Sequence, residues 1–191
     1  MAIAREFTEA PDRQSMPYRI GVGIALFDEQ GRLWLGRRLP KWCGDSTQAF
    51  WQMPQGGIER GELPLAAAMR ELTEETGARA FVPIAEIGQW LTYEVPDDML
   101  GVALKGRYRG QRQRWFAMRF TGRDRDFDLR RAEKKGGKAE FDAWRWATLE
   151  EAVAGIVPWK REVYSAVAEA FAPLSRCRVT PCDGRHPTAA L

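Results

Sequence analysis

The stretch GGIERGELPLAAAMRELTEETGA, from Gly56 to Ala78, constrains this chain more than any other. It opens on a glycine-rich turn carrying Glu59 and Glu62. Pro64 suits the first turn of a helix, because its φ is already helical and its missing N–H would have no partner there. Leu65 to Thr76 favour helix, and Gly77 stands where a left-handed cap would end it. Glu71, Glu74 and Glu75 fall at i, i+3 and i+4, which puts three carboxylates on one face. Leu65, Ala68, Met69 and Leu72 make the opposite stripe and are expected in the core. One face buried and one anionic describes a helix laid on a sheet.

Carboxylates at this spacing repel, by roughly a few tenths of a kcal/mol per pair on an exposed helix and more where water is excluded. Arg70 offsets part of that. A hard divalent cation offsets far more, since Mg²⁺ and Mn²⁺ favour carboxylate oxygen and leave positions for water and substrate phosphate. A solvated acidic face is the plainer reading of such a helix, but the spacing of the whole segment weighs against it. The order is Gly56, five residues, Glu62, seven residues, Arg70-Glu71-Leu72, any residue, Glu74-Glu75, any residue, Gly77. This pattern resembles the signature box of the Nudix hydrolases, which cleave nucleoside diphosphates linked to another moiety. Ala78 departs from it only in being smaller than the aliphatic residue expected after the last glycine.

The surrounding chain reads as strands and helices of one domain. Strands are expected at Tyr18–Phe27, Arg32–Arg38, Ile84–Val95, Arg112–Thr121 and Phe141–Ala147, with Trp34, Trp115, Trp144 and Trp146 inside them. Thr148 caps a short helix, and Trp159–Phe171 is a longer one whose Val163, Val167 and Phe171 recur every fourth residue. Residues 1–16 are expected to be a flexible arm, 17–172 the domain and 173–191 a mobile tail. Leu39–Phe50 and Pro96–Gly110 read as loops, and Arg123–Lys138 as a charged excursion without assigned structure. The order fits an α/β fold, and the resemblance implies an α/β/α sandwich with a mixed sheet between helices.

With 45% hydrophobic and 29% charged residues and no run near the roughly 18 apolar residues of a membrane span, neither membrane nor secretory signal is expected. Cys43, Cys177 and Cys182 lack metal-site spacing and read as free thiols of a reducing cytoplasm, a zinc site with His186 being the alternative. Net charge is only +3, yet thirteen Lys or Arg face four acids between Leu104 and Lys138. That run is either solvated surface or an attraction for a polyanion.

Four further segments, at Trp51–Gly57, Gly110–Phe116, Glu140–Trp146 and Trp159–Tyr164, resemble the bacterial RNA pyrophosphohydrolases, which overlap in sequence with the diadenosine polyphosphate hydrolases. The resemblance implies a hydrolase that trims the 5′-triphosphate of RNA to a monophosphate and so promotes decay. A dinucleoside polyphosphate is the alternative substrate. It implies divalent ions, Mg²⁺ or Mn²⁺ among others, held by Glu71, Glu74, Glu75, Glu140 and Gly56, with Arg70 beside them. Such ions neutralise phosphate and acidify the attacking water. Glu140 is a further ligand or the general base, or else a surface carboxylate. Glu59 and Glu62 read as structural. Arg19, Arg37, Arg38, Tyr93, Trp159 and Lys160 are the implied substrate contacts, Arg for its bidentate grip on phosphate and the aromatics for stacking on bases. No obligate protein partner is evident, and a monomer is expected. A non-catalytic RNA- or nucleotide-binding module is a third reading, and the intact box argues against it.

Overall fold

The computed structural model describes residues 12–38, 50–130 and 139–176. The Leu39–Phe50 loop up to residue 49, the three cysteines, His186 and most of the arm and tail lie outside the described residues. Seven strands form one sheet: β1 (Tyr18–Phe27), β2 (Leu33–Arg38), β3 (Phe50–Gln52), β4 (Gln55–Gly57), β5 (Phe81–Glu94), β6 (Gly110–Phe120) and β7 (Ala143–Ala147). Among the described residues three α-helices accompany it: α1 (Pro64–Thr76), α2 (Leu149–Gly155) and α3 (Arg161–Ser175).

The strand order is β3-β2-β1-β6-β5, with β4 on β1 and β7 on β2. Only β1 and β6 run parallel; the other pairs are antiparallel. Alternation along β1 divides the core in two. Val22, Ile24 and Leu26 pack with Ala68 and Leu72 of α1, whereas Ala25 and Phe27 face Val163, Val167 and Phe171 of α3. Gly23 makes room for the Trp115 ring of β6, since a Cβ there would lie 2.5 Å from it. Trp115 meets Tyr164 edge-on at 5.7 Å, and the Tyr164 hydroxyl accepts the Met53 N–H at 3.0 Å, tying α3 to the strand connection below the acidic helix. This is the mixed sheet between helical layers expected from sequence.

Several local expectations need correction. Leu65 and Met69 are 37% and 39% exposed rather than buried. The helix rests on the sheet through Ala67, Ala68, Leu72 and Thr76, and with that face down Glu71 and Glu75 turn toward β4. Phe50–Gln52 and Gln55–Gly57 are short strands, each recruited by a neighbour (β2 and β1) rather than by its own pattern. The final helix passes the expected domain end and runs to Ser175, with Pro173 inside its last turn. Within the charged excursion, residues 131–138 lie outside the described residues, and Phe127 and Leu129 pack against the core under α1.

Candidate active site

The turn before α1 and the helix itself are held together by Arg70. Its guanidinium donates to both oxygens of Glu62 at 2.8 Å and to the Gly57 carbonyl at 2.9 Å. The same group lies 3.0 Å from Glu71 and 3.3 Å from Glu74. Glu62 in turn accepts the Glu59 N–H at 2.9 Å, closing the turn through Gly61, whose φ of +80° is left-handed. Arg70, and then the Glu59 N–H, bring the Glu62 carboxyl down to about 2. Glu62 thus ties the turn to α1, and Glu59 enters that arrangement through its backbone N–H.

The three box glutamates part company. Glu71 leans on β4: a Cβ at Gly56 would fall inside its carboxyl group. Burial pushes Glu71 above the usual carboxylate range, against the pull of Arg70. Glu75 accepts the Gln55 N–H at 3.1 Å and is driven well upward by burial first, then by the charges of Glu140 and Glu71. Glu74 is half exposed and turned toward Arg70. Glu140, just before β7, ion-pairs with Arg38. Thus the charges of Glu71 and Glu140 both bear on Glu75, with Glu74 at the margin on Arg70.

Beside the carboxylates opens a cleft lined by Arg19, Arg38, Tyr93, Glu140, Trp159 and Lys160, so five of the six implied substrate contacts share one wall system with Glu140. Arg37, the sixth, points the other way along β2 and forms a two-pronged pair with Asp142 at 2.8 and 3.0 Å. The Lys160 ammonium is buried and sits 5.1 Å over the Tyr93 ring. Burial, and then the charge of Arg38, bring it down to about 7. Burial pushes the Tyr93 phenol upward.

Glutamines form a polar wall that sequence reasoning missed. Gln113 donates to Gln55 at 3.1 Å and to Gln111 at 2.8 Å, all three buried. Gln52 also lines the cleft, and its buried amide nitrogen has no hydrogen-bond partner among the described residues. The signal was present in Gln111-x-Gln113-x-Trp115: polar groups on a buried strand face at period two imply something polar for them to face.

The donor set suits a hard cation. It is all oxygen: Glu71 shares Arg70 with Glu62, Glu140 pairs with Arg38, and Glu75 accepts the Gln55 N–H while burial and the charges of Glu140 and Glu71 oppose its ionisation. Among the described residues no group of three acidic, histidine or cysteine side chains already converges as a metal cage. An ion here would thus take several of its oxygens from water and phosphate, in the manner of Mg²⁺.

The chain is thus a mixed sheet between helices, with an acidic helix beside a cationic and aromatic cleft. The chain belongs to the Nudix family: the NUDIX domain model matches residues 17–167. Members of this family generally require divalent metal ions. Curated relatives include the RNA pyrophosphohydrolase of Bradyrhizobium sp. (strain ORS 278), 49% identical over 165 residues, spanning 85% of this chain and 96% of that protein. The RNA pyrophosphohydrolase of Mesorhizobium japonicum is 44% identical over 171 residues, spanning 88% and 98%. Among solved structures, the E. coli dihydroneopterin triphosphate pyrophosphohydrolase superposes with a TM-score of 0.56 at 19% identity, covering 81% of this chain and 99% of that one. A C. elegans Ap4A hydrolase complex gives 0.55 at 16% identity, covering 81% and 98%. These two likenesses concern the fold alone. No helix among the described residues is long and apolar enough to cross a membrane.

Proposed function

We propose that this chain is a Nudix pyrophosphohydrolase that removes pyrophosphate from the 5′-triphosphate end of RNA and leaves a 5′-monophosphate. The observation that carries the reading is the junction of two opposite surfaces. Glu75, driven upward by burial and by the charges of Glu140 and Glu71, meets a cleft whose Arg19, Arg38 and Lys160 are cationic and whose Tyr93 and Trp159 are aromatic. The relatives named RNA pyrophosphohydrolase, similar over most of their length, support the choice of RNA.

In this reading residues 17–172 make up the catalytic unit. Glu71 and Glu75 would hold divalent ions, Mg²⁺ or Mn²⁺, with Glu74 and the Gly56 carbonyl as further ligands. Bound there, such an ion neutralises phosphate oxygens and acidifies water. Arg70 holds the turn so that Glu71 stays against Gly56. A carboxylate not engaged with metal, Glu140 by its position at the cleft, takes the proton of the attacking water. Arg38 and Arg19 grip phosphate, and Tyr93 and Trp159 offer faces to a base, which any transcript can supply.

The test is a labelled 5′-triphosphorylated RNA with purified protein and Mg²⁺. The expected result is a metal-dependent 5′-monophosphate product. No loss of 5′ phosphate, or preference for diadenosine tetraphosphate in competition, would overturn the RNA assignment.

A further inference from the structure

Part of the sheet face that carries α1 is left bare by the helix, and it bears arginines and a tryptophan that the reaction centre does not use. Arg112 and Arg114 stand in register with Ile20 and Val22 of β1. They therefore point to the side on which Phe116 and Met118 pack under α1, but lie before those residues on β6. Opposite them the β5–β6 register slips between Ile87 and Leu91, so Gly88, Gln89 and Trp90 fall out of the ladder. Such irregularities re-aim side chains. Here the guanidinium carbons of Arg112 and Arg114 each lie 5.9 Å from the Trp90 ring centroid.

Little neutralises this charge. Arg112 is exposed and has no carboxylate partner among the described residues. Arg114 reaches Glu86 at 3.3 Å, but that carboxylate is 55% exposed, and such pairs hold weakly. The patch is also continuous with the candidate site. Ile20, the register neighbour of Arg112, is 44% exposed and lines a groove together with Arg19, Gly57 and Glu71. From that groove to Trp90 is a step across two strand spacings, about 10 Å.

We propose that Trp90, Arg112 and Arg114 form a track for the body of a single-stranded RNA whose 5′ end lies at the glutamates. The proposal rests on the RNA reading above and extends it downstream of the first nucleotides. Arginine supplies contacts to phosphate, and the indole supplies a face on which any base can stack. A chain leaving the carboxylates over Ile20 meets these groups next.

The experiment compares kcat/KM for a 5′-triphosphorylated dinucleotide, too short to reach the track, with that for a 5′-triphosphorylated RNA of about twenty nucleotides, for wild type, Trp90→Ala and Arg112→Glu. The dinucleotide rate should be unchanged in both variants, which also reports that they fold. The long-RNA rate should fall about tenfold in Trp90→Ala. Arg112→Glu should in addition flatten the dependence of log kcat/KM on log salt by roughly 0.7 or more. Equal losses on both substrates, or none on either, overturn the track; the second outcome is what a surface kept for a protein partner would give. If wild type hydrolyses neither RNA, the RNA reading itself has failed, and the track with it.

Discussion

The Glu71 carboxyl group occupies the space beside the backbone of Gly56 that any side chain at position 56 would need. A glycine on a short strand thereby decides where a helix glutamate can rest. Gly56→Ala should displace the carboxylate or push β4 from α1, at a stability cost of about 1–3 kcal/mol for overpacking. Activity should drop further than that stability loss explains, because the displaced group is a proposed metal ligand. Gly88→Ala is the control, since a Cβ there meets nothing within 4 Å. Melting temperature and Mg²⁺-dependent kcat, read for both variants, check the point.

Glu75→Gln should abolish turnover, by roughly 10²–10⁴-fold or more, and yet stabilise the metal-free protein. Gln keeps an oxygen for the Gln55 N–H but removes a charge that burial, Glu140 and Glu71 all oppose. The sign follows from proton binding. A carboxyl raised on folding holds its proton more tightly in the native state, so its burden is absent below the ordinary carboxylate range and grows as pH rises above it. Melting curves in chelator should coincide for wild type and variant near pH 4, within error, and then separate in the variant's favour. Saturating Mg²⁺ should restore the wild type. A variant less stable than wild type at neutral pH would contradict this account.

The acidic helix was legible because its signal is local. Pro64, the Arg70–Glu75 run and Gly77 determine start, face and end within a dozen positions, and Gly77 does take a left-handed φ of 78°. The roll of that helix was not legible. Leu65 and Met69 look like core until one knows that alanines 67 and 68 are what touch the sheet. The strands at Phe50–Gln52 and Gln55–Gly57 depend on partners far away in sequence, which no local pattern can announce. The same holds within the site: Arg37 and Arg38 are adjacent in sequence, and only the strand's alternation sends one to Asp142 and the other to Glu140.

That divergence makes a paired test. Arg38→Ala removes the partner of Glu140 and a cation of the cleft, so kcat/KM for triphosphorylated RNA should fall by roughly tenfold or more, in the range for a charged hydrogen bond. Arg37→Ala breaks a pair whose partners are 41% and 36% exposed. Exposed pairs contribute about 0–1 kcal/mol, so its effect on kcat/KM should stay within about fivefold. Equal losses in both variants would place Arg37 back among the substrate contacts.

Lys160 links stability to pH in the opposite sense from Glu75. Its ammonium comes down to about 7 in the fold through burial and the neighbouring Arg38 charge. An unfolded lysine titrates near 10.4, so between about 7 and 10.4 the unfolded chain holds the extra proton. Stability therefore rises with pH across that window, and the full burden of the buried charge is felt below pH 7. Lys160→Met keeps the length of the side chain and its contact with the Tyr93 ring while removing the charge. It should melt higher than wild type at pH 6, by at most a few kcal/mol in stability, with the gap closing toward pH 10. Its KM for triphosphorylated RNA should rise, most at low pH, where wild-type Lys160 is charged. A wild-type-minus-variant stability difference that does not move between pH 6 and pH 10 would mean that Lys160 does not titrate in the cleft at all.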